Sequence, residues 1–176
     1  MIIRVDDIPE TGLDLEIEEE GAQFDRLAKG LDFSITSPVR GRLNITASDT
    51  NVNVTGEVDA RLALGCSRCL KDFEYGLKAP ISVLFLREKE TEREKELTSS
   101  EMDVNYLEGD SLDTNEVLLA QIALELPIKP LCREDCKGLC TRCGSDLNKG
   151  PCGCKTEERE ERTDQRFEKL KDFKVK

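Results

Sequence analysis

Residues 130–154 read PLCREDCKGLCTRCGSDLNKGPCGC and hold six of the chain's eight cysteines. The other two form a pair far upstream, Cys66-Ser67-Arg68-Cys69. In a chain with no histidine, thiols this dense have three usual roles: a disulfide framework, a redox dithiol or a tetrathiolate metal site.

The opening, MIIRVDDIPETG, lacks a basic segment followed by a long apolar run, which points to a cytoplasmic protein without a secretory signal. No stretch approaches the roughly 20 apolar residues of a membrane span. In a reducing compartment disulfides are rare and clustered cysteines serve metals or catalysis. A catalytic dithiol needs an exposed cysteine of low pKa, commonly at a helix N-terminus. Cys66 and Cys69 lie instead between two strand-like segments, Val52 to Leu64 and Phe73 to Leu77.

Cys140-Thr141-Arg142-Cys143 is followed at once by Gly144, the residue that takes positive φ without steric cost in a turn aiming two sulfurs at one ion. Cys66-x-x-Cys69 has the same spacing but Leu70 after it, a less ideal turn. Zinc takes four thiolates in tetrahedral geometry, usually from Cys-x2-Cys pairs. The preferred partition places Cys140, Cys143, Cys152 and Cys154 on one ion, since they fall within fifteen residues. Cys66, Cys69, Cys132 and Cys136 form the second set, pinning a strand hairpin to the exit of a buried helix. Spacing alone leaves swapped pairings and a single filled site open, and rubredoxin-like iron is the runner-up metal. Four thiolates leave no position for water, so the expected zinc, one or two ions, is structural. No acid–base or nucleophilic constellation and no phosphate-cradling glycine loop accompanies the cysteines.

Working outward, the expected fold is α+β: an antiparallel β-rich core with one buried helix and a Cys-rich zinc-binding module. Leu13 to Glu18 alternates apolar and acidic residues, the period of a half-buried strand. Leu31, Phe33 and Ile35 alternate again, and strands are predicted over Val39 to Ala47 and Val52 to Leu64, with Ser48 to Asn51 as the turn. Pro80 opens a separate strand through Leu86. A short helix is expected from Phe24 to Ala28. The main helix runs from Asp113 to Pro127, with Asp113 and Glu116 as a capping box and Val117, Leu118, Ile122, Leu124 and Leu126 on the buried side. The domain reading is 1–128 for the β-rich part with a charged linker near 87–110, 129–155 for the cysteine module and 156–176 for a charged tail, where Phe167 and Leu170 suggest a short amphipathic helix.

Composition bounds the partners. Charged residues make up 36% of the chain and the net charge is −11, which opposes nonspecific nucleic-acid binding, since that depends on Lys and Arg neutralising phosphates. Around the cluster, Lys129, Arg133, Lys137, Arg142, Lys149 and Lys155 outnumber Glu134, Asp135 and Asp146. This excess admits a few specific contacts rather than a general RNA grip.

With these residues in view, the sequence resembles the YceD-like family, also described as large ribosomal RNA subunit accumulation proteins. The resemblance is carried by Cys66-Ser67-Arg68-Cys69-Leu70, the Asp113 to Pro127 helix, Pro130-Leu131-Cys132 through Cys143-Gly144, Leu147-Asn148 and Cys152-Gly153-Cys154, and covers about residues 20–155. Some members carry fewer of the downstream cysteines. The resemblance implies a non-enzymatic role in accumulating large-subunit ribosomal RNA, with ribosomal RNA or large-subunit ribosomal proteins as partners and no small-molecule substrate. The alternative is a thiol redox or electron-transfer protein using its Cys-x2-Cys pairs.

Overall fold

The computed structural model describes residues 1–24, 26–87, 105–107 and 109–154. It divides into two compact units, Met1–Cys136 and Lys137–Lys176. Within the first, the strands are β1 (Ile2–Arg4), β2 (Leu13–Glu19), β3 (Phe33–Ile35), β4 (Val39–Ala47), β5 (Asn51–Gly65), β6 (Asp72–Arg87), β7 (Asn105–Leu107) and β8 (Ser111–Asp113), followed by the helix α1 (Thr114–Leu124). The main sheet has the order β2-β4-β5-β6-β7, with β3 also on β5, and β1 pairs with β8 in a separate ribbon. The first unit is therefore β-rich with one α-helix among the described residues.

Alternation decides which face is buried. In β5 the inward positions are Val52, Val54, Val58, Ala60, Leu62 and Leu64, all even-numbered, and the residues between them are exposed or half-buried. A one-residue slip would turn all six valines, leucines and alanine to solvent, so the register is strongly specified. Val39, Leu43 and Ile45 of β4 and Leu77, Ala79 and Ile81 of β6 complete the same face. Its opposite face carries cross-strand ion pairs, Arg40–Glu18 at 2.9 Å and Lys78–Glu57 at 3.0 Å among them. Each such exposed pair contributes at most about 1 kcal/mol.

Helix α1 lies over this core. Val117, Leu118, Leu119 and Ile122 are buried, and Leu118 sits where Gly41 of β4 leaves room: a Cβ on Gly41 would come within 2.8 Å of the Leu118 Cδ2. Asp113 caps the helix, accepting at 3.0 Å from the amide of Asn115 rather than of Glu116, the residue the expected capping box would use.

Several expectations require correction. β6 is one continuous strand of 16 residues through Pro80, not two. β7 pairs only with Phe85 to Arg87, so among the described residues β6 is the sheet edge at Pro80, the place in a sheet where proline is tolerated. β7 runs parallel to β6, which makes the sheet mixed rather than wholly antiparallel. It also falls inside the stretch expected to be a linker. The helix ends at Leu124, three residues early, and Leu124 is 78% exposed. In place of a helix from Phe24 to Ala28 there is a 3-10 turn over Gly21–Gln23 with Phe24 as its fully buried cap. The charged run at 88–104 and the tail at 155–176 lie outside the described residues. No helix among those described is long and apolar enough to cross a membrane.

Candidate metal centres

β5 and β6 are paired to their ends, Gly65 opposite Asp72, so the six residues between them form the tip of a long hairpin. The tip closes through two backbone bonds: the Cys66 amide donates to the Lys71 carbonyl at 2.9 Å, and the Leu70 amide to the Cys66 carbonyl at 2.9 Å. This leaves the amides of the turn aimed at sulfur. The Leu126–Pro130 exit from α1 is held against the tip by the Ser67 amide donating to the Pro130 carbonyl at 2.8 Å. A second turn, closed by the Cys136 amide donating to the Arg133 carbonyl, then presents Cys132 and Cys136 to Cys66 and Cys69.

The four sulfurs lie within 4.8 Å of one another. Cys66 Sγ is 3.8 Å from Cys136 Sγ, and Cys69 Sγ is 3.7 Å from Cys132 Sγ. A disulfide would place two sulfurs about 2.05 Å apart, and none of the eight cysteines is so paired. Four sulfurs at about 2.3 Å from a central zinc would instead have tetrahedral edges of about 3.8 Å. Both measured separations fit that figure. Cys66, Cys69 and Cys136 are buried.

In the second unit the same construction recurs on a smaller scale. Leu139 bridges to Asp146, and the Leu147 amide donates to the Gly138 carbonyl at 2.9 Å, forming a minimal hairpin. At its tip the Cys140 amide donates to the Ser145 carbonyl and the Gly144 amide to the Cys140 carbonyl, each at 2.8 Å. Cys140, Cys143, Cys152 and Cys154 also have all four sulfurs within 4.8 Å. The thiols thus fall into the two sets that spacing favoured.

Without a cation, the thiols of each tetrad are set against one another. The Cys132 backbone amide, with burial opposing it and the Cys69 and Arg68 amides assisting, holds the Cys66 thiol down to about 6. Burial and the neighbouring sulfurs of Cys136, Cys66 and Cys69 push Cys132 up to about 12. In the other set the Ser145 hydroxyl and amide hold Cys143 down to about 6, while Cys143 itself and burial push Cys154 up to about 12. One thiolate in each set is favoured and its neighbour is then forced to keep its proton, the behaviour of like charges sharing a site. A divalent cation reverses this by favouring all four thiolates together. The donor set, its spacing and its amide bonds all fit zinc or iron.

Three contributors escape the cysteine pattern. The Arg68 guanidinium donates to the Cys136 carbonyl at 2.8 Å and to the Glu134 carbonyl at 3.4 Å. Asn148 Oδ1 accepts from the Lys137 amide at 2.8 Å, and Ser145 Oγ lies 3.1 Å from Cys143 Sγ. Arg68 stands between two cysteines and Asn148 within the cluster; both bond backbone atoms, for which side-chain spacing carries no signal, and Asn148 Nδ2 also donates to Asp146 Oδ1 at 2.9 Å.

These features define a β-rich scaffold with two tetrathiol knuckle sites. The chain belongs to the YceD family: the family model, described as Large ribosomal RNA subunit accumulation protein YceD, matches residues 54–174. An uncharacterized protein of Mycobacterium tuberculosis is 31% identical over 159 residues, covering 90% of this chain and 66% of its own length. The chloroplastic large ribosomal RNA subunit accumulation protein YCED homolog 1 of Arabidopsis thaliana is 22% identical over 73% of this chain and 47% of its own. YlbN of Bacillus subtilis is 28% identical, covering 73% of this chain and 72% of its own. The chain thus spans 66% of the mycobacterial relative and about half of the plant one. No solved structure matches it.

Proposed function

We propose that this chain is a non-enzymatic cytoplasmic factor supporting accumulation of large-subunit ribosomal RNA, and hence ribosome assembly, on a scaffold held by structural zinc. The ribosomal half of the reading rests on the family match over residues 54–174 and on the name of the Arabidopsis thaliana relative. The metal half rests on the sulfur separations of 3.7 and 3.8 Å in the first tetrad. Cys66, Cys69, Cys132 and Cys136 would hold one ion and Cys140, Cys143, Cys152 and Cys154 the other. Bound zinc supplies charge neutralisation and cross-linking, and with four thiolates it offers no site for water.

The protein's own residues do the rest. Arg68 ties the hairpin tip to the Cys132–Cys136 turn, and the knuckle amides orient sulfur lone pairs toward a common point. What remains for recognition is the surface, and its partner is ribosomal RNA or a large-subunit ribosomal protein. Depletion in cells followed by sucrose-gradient analysis tests the role: a shortage of large-subunit particles and their RNA is expected, and an unchanged profile would remove this reading.

The Cys143 thiol, exposed and held down to about 6, is the observation that favours thiol chemistry as a second reading. Zinc in both tetrads with thiols unreactive until chelation opposes it; a metal-free protein that cycles between dithiol and disulfide supports it.

A further inference from the structure

The first unit carries a groove of about 650 Å³ between α1, the ends of β6 and β7, and the β1–β8 ribbon. Its floor is apolar, with Val83, Phe85 and Val117, and Ile2, Tyr106 and Leu124 stand at its rim, 70%, 44% and 78% exposed. Apolar side chains this exposed, converging on one concavity, mark an interaction site rather than scattered surface residues. The charged side chains lining it are Glu116 and Asp113, the latter paired with the Met1 ammonium at 3.4 Å, with no Lys or Arg among the described lining residues.

The sequence of this part of the chain has the same sign. Residues 1–128 hold 27 Asp and Glu against 13 Lys and Arg, a net of −14, whereas residues 129–154 hold 3 against 5. The acidity of the whole chain is thus concentrated in the part that carries the groove. Glu116 beside an apolar floor, on an acidic part of the chain, selects a segment with apolar anchors flanked by Lys and Arg, and disfavours nucleic acid.

We infer that this groove docks a basic, apolar-anchored peptide segment of a protein partner, with Leu124 and Tyr106 receiving its anchors and Glu116 its cations. The inference deepens the ribosomal reading, on which it rests for the class of partner, by assigning the contact to protein rather than RNA and to one face.

The test uses the full zinc-loaded chain and fluorescence anisotropy with three probes: a 15-residue peptide with Phe and Leu anchors among Lys and Arg, the same apolar spacing among Glu and Asp, and a 15-nucleotide single-stranded RNA. The basic peptide is expected to bind alone. Combining Leu124→Ser with Tyr106→Ser, both exposed positions, weakens it about tenfold or more. Glu116→Lys weakens it severalfold at low salt and less at high salt. Equal binding of the acidic peptide, RNA binding sensitive to the same substitutions, self-association abolished by them, or peptide binding indifferent to all three substitutions overturns the proposal. Because these readouts use purified protein, they are independent of the depletion phenotype: normal large-subunit particles sink the ribosomal role and leave the groove standing, and substitution-insensitive peptide binding does the reverse.

Discussion

Leu70 and Gly144 occupy the same position in two knuckles and adopt the same backbone: φ is 58° at Leu70 and 71° at Gly144, and each donates its amide to the carbonyl of the first cysteine, at 2.9 and 2.8 Å. Leu70 is the only non-glycine residue at positive φ among those described, and its side chain is 73% exposed. Closing this knuckle with leucine costs about 1–2 kcal/mol of left-handed strain. Glycine there removes the strain but adds about 0.5–1 kcal/mol of unfolded-state freedom. Leu70→Gly is therefore expected to stabilise the first unit by up to about 1 kcal/mol in urea unfolding, and Leu70→Val, β-branched, to lower it by about 1 kcal/mol or more. Equal stability of the two variants would contradict the shared turn.

Arg68 holds the two halves of the first site together through backbone carbonyls, one of them part-buried. Arg68→Ala leaves those carbonyls unanswered while all four sulfurs remain. Zinc affinity at that site, measured by chelator competition, is expected to fall about 10–100-fold, as for other supporting residues of metal sites. Lysine should rescue only in part, because one ammonium replaces a planar fork.

Two glycines of the sheet are fixed by close approach. A Cβ at Gly41 would press on Leu118 of α1, and one at Gly56 would overlap the Arg42 carbonyl oxygen on the neighbouring strand. Gly41→Ala is expected to cost about 1–3 kcal/mol, since a flexible leucine must shift. Gly56→Ala should cost more, because backbone must move. Denaturant midpoints at constant m-value check the order.

Chelation should act unequally. All 23 residues of the hydrophobic core cluster lie at or before Ile122, so the β-rich unit has burial to fold on, whereas residues 137–154 have none of that core. With zinc removed, hydrogen exchange is expected to lose protection across 137–154 and to keep it in β4, β5 and β6. In the metal-free state Cys143, exposed and held down to about 6, should alkylate near pH 7 ahead of Cys154, which is pushed up to about 12. Lowering the pH returns protons to the thiolates, so metal affinity falls as pH falls.

Much of the sheet is readable from the chain because β4, β5 and β6 alternate over long runs with one face buried. The misreadings have local causes. Pro80 looks like a strand start until β6 is known to be an edge at that point. Asn105 to Leu107 is too short to stand out beside a charged run, and its pairing with Phe85 to Arg87 is nonlocal. Leu124 continues a helical stripe yet is exposed, because the helix ends there, while Leu126 beyond it packs half-buried against the core. The pairing of cysteines within each knuckle follows from spacing, whereas the joining of Cys66 and Cys69 to Cys132 and Cys136 is nonlocal, which is why spacing left swapped sets open. The roles of Arg68 and Asn148 stay hidden because each holds main-chain atoms of another segment.

The two tetrads predict two closed metal sites in one chain. Elemental analysis of the purified chain, paired with X-ray absorption at the zinc edge, tests this prediction most directly. Two zinc ions per chain, each with four sulfur ligands at about 2.3 Å, are expected. A metal-free chain with disulfides, or oxygen ligands at either ion, would contradict it.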